Sequence, residues 1–164
     1  MDLSTYRLED LLLVAVKSEI ESRDFYLKVS RGVKNALLKD RLEFLSGEEE
    51  KHRVFFETLF EKEFPGREIV LPEQSPVPLP QLKIEDENVP LSDVLWKAME
   101  AEKTAYDFYN GLADRYEDNS DVKTALSYIA SMEMGHYRLL ELERENAKRF
   151  EDVDFEWPMM HIGP

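Results

Sequence analysis

The chain states one pattern twice. AVKSEIESRDFYLKVS, from Ala15 to Ser30, returns as AMEAEKTAYDFYNGLA, from Ala98 to Ala113. Each copy sets a glutamate, Glu19 or Glu102, seven residues before a tyrosine, Tyr26 or Tyr109. Thirty residues after Glu19 comes Glu49-Glu50-Lys51-His52, and at nearly the same offset from Glu102 comes Glu133-Met134-Gly135-His136. Both are Glu-x-x-His, so the chain holds two matched sets of metal-ligating side chains.

Periodicity places these residues on four long helices. The first is expected over about residues 5–31, with Leu8, Leu12, Ala15, Glu19, Ser22, Tyr26 and Val29 stepping by four and three along one face. Gly32 is placed to end it. The second, 35–63, opens on Asn35 as N-cap, carries Leu38, Leu42, Leu45, Glu49, His52, Phe56 and Leu59, and stops at Phe64-Pro65-Gly66. The third, 92–116, repeats the stripe through Leu95, Ala98, Glu102, Ala105, Tyr109, Leu112 and Tyr116. The fourth, 120–149, runs Val122, Leu126, Ile129, Glu133, His136 and Leu140. Every candidate ligand occupies a position where an apolar core residue belongs. A carboxylate there costs several kcal/mol unless something pairs with it.

Residues 64–90 hold six of the eight prolines and little helical pattern, so they read as a crossover rather than a tight turn. The topology expected is all-α, a four-helix bundle of two helical hairpins joined by a long crossover loop, in one domain over 1–164. The apolar tail, 150–164, with Trp157, Met159, Met160 and His161, is expected to pack on the bundle or on a second copy; His161 reads as structural rather than as a ligand. In an antiparallel hairpin, residues equidistant from the turn lie level. Glu19 and Glu49 are centred on Lys34, and Glu102 and Glu133 between Glu117 and Asp118, both inside the expected turns. All four glutamates therefore meet at one level, about 22 Å from each turn at 1.5 Å per residue.

Two Glu-x-x-His pairs and two lone glutamates suit a pair of divalent cations whose charge cancels four carboxylates. The oxygen-rich set with two imidazoles favours iron, with manganese second, over a structural zinc. Glu48, four before His52, aligns with Met132 in the other copy and reads as a solvated charge. Tyr26 and Tyr109 are either ordinary core aromatics or groups hydrogen-bonding a ligand carboxylate. Gly47 and Gly135, in mid-helix, are expected to permit a close helix contact.

Composition narrows the function. Acidic residues number 35 against 21 basic, a net charge of −14, so nucleic acid and anionic membrane are poor partners. The sequence contains no cysteine, which excludes thiolate metal centres and disulfides. The apolar run Leu11 to Val16 is too short for a membrane span, and the chain reads as soluble, intracellular and cytoplasmic.

These residues resemble the ferritin-like di-iron carboxylate proteins, and within them the rubrerythrin-type domain, over nearly the whole chain; a Glu from each of two helices with two Glu-x-x-His motifs is a described arrangement. The resemblance implies that Glu49 and Glu133 bridge two irons, that Glu19 and Glu102 are terminal ligands, and that His52 and His136 each cap one metal. It also implies reduction of hydrogen peroxide or dioxygen, or ferroxidation. Two departures stand out. Rubrerythrins carry a cysteine-ligated rubredoxin module, absent here, which implies an external electron donor protein. They also have a further glutamate three residues after the third-helix ligand, where this chain has Ala105. The alternatives are iron storage or carriage, and a metal-stabilised structural module. A homodimer is expected.

Overall fold

A computed structural model describes residues 3–75, 77, 79 and 89–156. Four helices, α1 (Leu8–Gly32), α2 (Ala36–Glu63), α3 (Leu91–Ala113) and α4 (Ser120–Glu156), make up almost all of the regular structure, with one 3-10 turn at Asp114–Tyr116. Among the described residues there is no strand. The backbones of α1 and α2 pack along their length, as do those of α3 and α4, and the two hairpins approach each other much less closely. The expected all-α bundle of two hairpins is the fold observed.

The helix boundaries follow from local chemistry with a few tertiary exceptions. Asn35 caps α2, its side chain accepting from the Leu38 amide at 3.1 Å. Asn119 does the same for α4, accepting from the Val122 amide at 3.3 Å. Helix α1 begins at Leu8 rather than near residue 5, because Leu3 to Tyr6 close a turn of their own and Arg115 donates to the carbonyls of Leu3 (2.7 Å) and Tyr6 (3.0 Å). Gly32 belongs to the helix it was expected to end, and extended Val33 makes the break. Gly66, at φ 76°, does take the left-handed conformation after α2. The tail was expected from residue 150, yet α4 continues to Glu156, since no glycine or proline interrupts the chain before Pro158. Trp157, Met159, Met160 and His161 lie outside the described residues.

The core is divided. At one end, Leu11, Leu12, Phe56, Phe60, Phe108, Leu112 and Leu126 pack with Leu3 and Val77. At the other, Phe25, Val29, Leu38, Leu42, Leu45, Leu95, Met99 and Leu140 form a second apolar cluster. Val29 and Leu38 flank the α1–α2 turn, and Leu95 of early α3 packs at that same end, so the crossover rises the length of the bundle. Lys17 fastens its path to α1, donating to the carbonyls of Pro72 and Glu73, each at 2.7 Å. Between the two clusters lies a layer of charged side chains.

Gly47 and Gly135 do not serve a close helix contact. Both are exposed, and a Cβ at either would meet nothing within 4 Å. The residues turned inward beside them are Leu45, Glu49, Glu133 and His136, so the expected contact lay on the wrong face. Gly47→Ala and Gly135→Ala should each therefore raise stability by about 0.5–1 kcal/mol through helix propensity alone. Urea unfolding of the two variants, with destabilisation as the contrary result, checks this.

Candidate metal centre

Each helix delivers its polar residues to the middle layer because they fall on its apolar stripe. Glu19 on α1, Glu49 and His52 on α2, Glu102 on α3, and Glu133 and His136 on α4 are all at most 5% exposed. The structure brings together all six residues singled out from the sequence. Their donor atoms form two overlapping sets, Glu19, Glu49, His52 and Glu133 in one and Glu49, Glu102, Glu133 and His136 in the other, each within 4.8 Å. Glu49 and Glu133 belong to both.

The shared glutamates divide their oxygens between the two sets. Nδ1 of His52 faces Glu133 Oε1 at 2.9 Å, Glu49 Oε2 at 3.5 Å and Glu19 Oε2 at 3.7 Å. Nδ1 of His136 faces the other oxygens of the same pair, Glu49 Oε1 at 3.1 Å and Glu133 Oε2 at 3.2 Å, and Glu102 Oε2 at 3.7 Å. The two imidazoles stack with centroids 5.8 Å apart and planes 22° from parallel. Glu49 and Glu133 thus each face both histidines, whereas Glu19 faces His52 and Glu102 faces His136.

Tyr26 and Tyr109 are fully buried and resolve the alternatives left open for them. Tyr26 donates to Glu102 Oε1, and Tyr109 donates to Glu19 Oε1. Each tyrosine serves the glutamate of the opposite hairpin, a reciprocity that the equal Glu-to-Tyr spacing hints at but does not specify. Burial, reinforced by the facing carboxylates, raises both phenols well above their usual range, so they stay protonated and remain donors. Glu48 is not the solvated charge expected. Its side chain is mostly covered and pairs with Lys51 one turn along α2.

The electrostatics show what the layer needs. Glu49 Oε1, Glu133 Oε1 and both ring nitrogens of His52 are buried without a hydrogen-bond partner among the described residues. His52 Nδ1 is near Glu133 yet off the line of a hydrogen bond, as expected for donors aimed at a common centre. Leaving such groups unmatched costs about 1–3 kcal/mol each, and a cation between them removes that cost. The residues therefore fit a pair of metal ions. Without metal, burial and the charge of Glu49 push Glu19 and Glu102 well above the usual carboxylate range. Burial also pushes Glu49 and Glu133 upward, but their contacts with His136 and His52 outweigh it and hold both below their ordinary value. Burial disfavours the imidazolium of His52, yet Glu133, Glu19 and Glu49 raise it from 6.5 to about 12, and His136 rises similarly. Two imidazolium ions then balance two carboxylates, and protons stand in for metal charge.

A family model described as Rubrerythrin matches residues 10–143. The chain belongs to the rubrerythrin family. A solved structure of a hypothetical protein from Pyrococcus furiosus is 33% identical, with a TM-score of 0.79 over 90% of this chain and 94% of that one. Its likeness confirms the ferritin-like four-helix bundle. None of the curated proteins matches. Among the described residues no helix is long and apolar enough to cross a membrane.

Proton occupancy fixes the pH dependence of metal uptake. A group whose value is raised in the folded protein holds its proton, and a cation must displace it. Protons on His52, His136, Glu19 and Glu102 all oppose loading, so divalent-metal affinity should fall as the pH is lowered. The drop should reach about tenfold per pH unit for each proton displaced. Calorimetric titration of the metal-free protein with Mn2+, in two buffers of different ionisation enthalpy, counts those protons; pH-independent uptake without proton release would contradict the charge balance described.

Proposed function

We propose that the protein is a di-iron oxidoreductase that reduces hydrogen peroxide, or dioxygen, with electrons from a separate donor protein. The observation that carries this reading is the pair of overlapping four-residue sets sharing Glu49 and Glu133. Six protein ligands distributed over two cations leave coordination positions for an oxidant, whereas a structural site is closed. The oxygen-rich donor set with two imidazoles suits iron first and manganese second. When bound, the iron pair supplies the two electrons that break the O–O bond of hydrogen peroxide, which takes up two protons and leaves as two waters.

The protein's own residues prepare that chemistry. The apolar layers above and below exclude bulk water and strengthen electrostatic interactions within the site. Tyr26 and Tyr109 fix one oxygen of each terminal glutamate, which leaves the other directed at its histidine. The 164 residues hold no cysteine to ligate an electron-carrying centre, which supports a separate donor. A homodimer is part of this reading, with the exposed Leu37 and Phe44, two turns apart on one side of α2, as surface for a second copy to cover.

A second reading, iron oxidation and storage, is favoured by the net charge of −14, which attracts cations. Metal analysis separates the two: two irons per chain fit the oxidoreductase, and dozens fit storage. The direct test is peroxide consumption by reduced, iron-loaded protein. Glu133→Ala removes a member of both ligand sets and should slow consumption by at least about 100-fold. Equal rates for the parent and the variant would sink the proposal.

A further inference from the structure

Small molecules can approach the charged layer from few directions. The hairpin interfaces are closed by backbone packing along α1 with α2 and along α3 with α4. The two ends are filled by the apolar clusters. Between α2 and α4 the stacked rings of His52 and His136 occupy the space. The α1–α3 side differs. There a cavity of about 20 Å³ runs between Ser18 and Ser22 of α1 and Ala101 and Ala105 of α3. All four are half-buried, between the exposed Glu21 and the buried ligands.

The cavity reaches the centre itself, since Glu19, Glu49, Glu102 and Glu133 line its inner end. Two of these, Glu49 and Glu133, each hold a buried oxygen without a hydrogen-bond partner among the described residues, Glu49 Oε1 beside His136 and Glu133 Oε1 beside His52. The four small residues correspond in the duplicated halves, Ser18 with Ala101 and Ser22 with Ala105. They lie one before and three after the lone glutamates, so both walls of the gap are low at the same depth. Leu79 of the crossover adds an apolar wall. The volume accommodates a water-sized molecule, for which about 10–15 Å³ suffices, and not a branched alkyl group.

We propose that the α1–α3 gap is the substrate port of this centre, and that Ser18, Ser22, Ala101 and Ala105 set its size so that hydrogen peroxide passes and bulky organic hydroperoxides are refused. The proposal rests on the oxidoreductase reading for the identity of the oxidant, but the route itself has an independent readout. Azide, a small linear anion that binds open metal positions, probes access without turnover. Its binding to iron-loaded ferric protein is read from the visible spectrum.

Ala105→Phe should fill the gap. With iron content and thermal midpoint unchanged, it should weaken azide binding at least about tenfold and slow hydrogen peroxide consumption equally, an effect of shape rather than chemistry. Ala101→Leu, a smaller intrusion from the other wall position on α3, serves if the phenylalanine variant does not fold. The parent should consume hydrogen peroxide at least about 100-fold faster than tert-butyl hydroperoxide, and Ser22→Gly should narrow that ratio. Unaltered azide binding in a folded, iron-replete Ala105→Phe or Ala101→Leu variant would overturn the port. So would a parent that accepts both hydroperoxides at equal rates. Loss of azide binding in the variant from a parent that consumes no peroxide would leave the port standing and remove the peroxide reading instead.

Discussion

Four carboxylates buried on one level of a helical bundle form the constraint on which the rest of this structure depends. Glu19, Glu49, Glu102 and Glu133 are each at most 3% exposed and sit where leucine would otherwise pack. Their mutual repulsion in a medium of low dielectric is several kcal/mol even with generous screening. Protons on Glu19 and Glu102 and on the two imidazoles relieve it in the absence of metal, and divalent cations relieve it in their presence. The apolar clusters at either end supply the packing that holds this layer closed.

Much of this was legible in the sequence because two periodicities agreed. The four-and-three stepping placed Glu19, Glu49, His52, Glu102, Glu133 and His136 on inward faces, and the hairpin midpoints put the glutamates level. Both statements need only helix geometry, and the observed turns, between Gly32 and Ala36 and between Tyr116 and Ser120, match the midpoints. The duplication separated Glu49 from its neighbour Glu48, a choice that one copy alone could not make.

What was not legible depended on tertiary contact. The start of α1 is set by Arg115, more than a hundred residues away, and no local pattern announces that bond. Glu48 is covered although the ligand stripe runs through its neighbour Glu49, and it pairs with Lys51 one turn along α2. Gly47 and Gly135 invited a packing explanation by their position near the ligands, but their angular place on the helix faces solvent. The crossed tyrosine bonds lay within reach of the repeat spacing, yet the direction of each bond depends on how the hairpins are set against one another.

That crossing has a consequence for the ancestry of the fold. Neither hairpin contains a complete centre: the first four-residue set borrows Glu133 from the second hairpin, the second set borrows Glu49 from the first, and each tyrosine reaches across. One hairpin with a Glu, a Glu-x-x-His and a Tyr would lack a ligand by itself, but two identical copies related by a twofold axis would supply every contact seen here. The present chain has the form of such a symmetric pair made continuous by its crossover, with the six-residue cluster where the twofold axis would run.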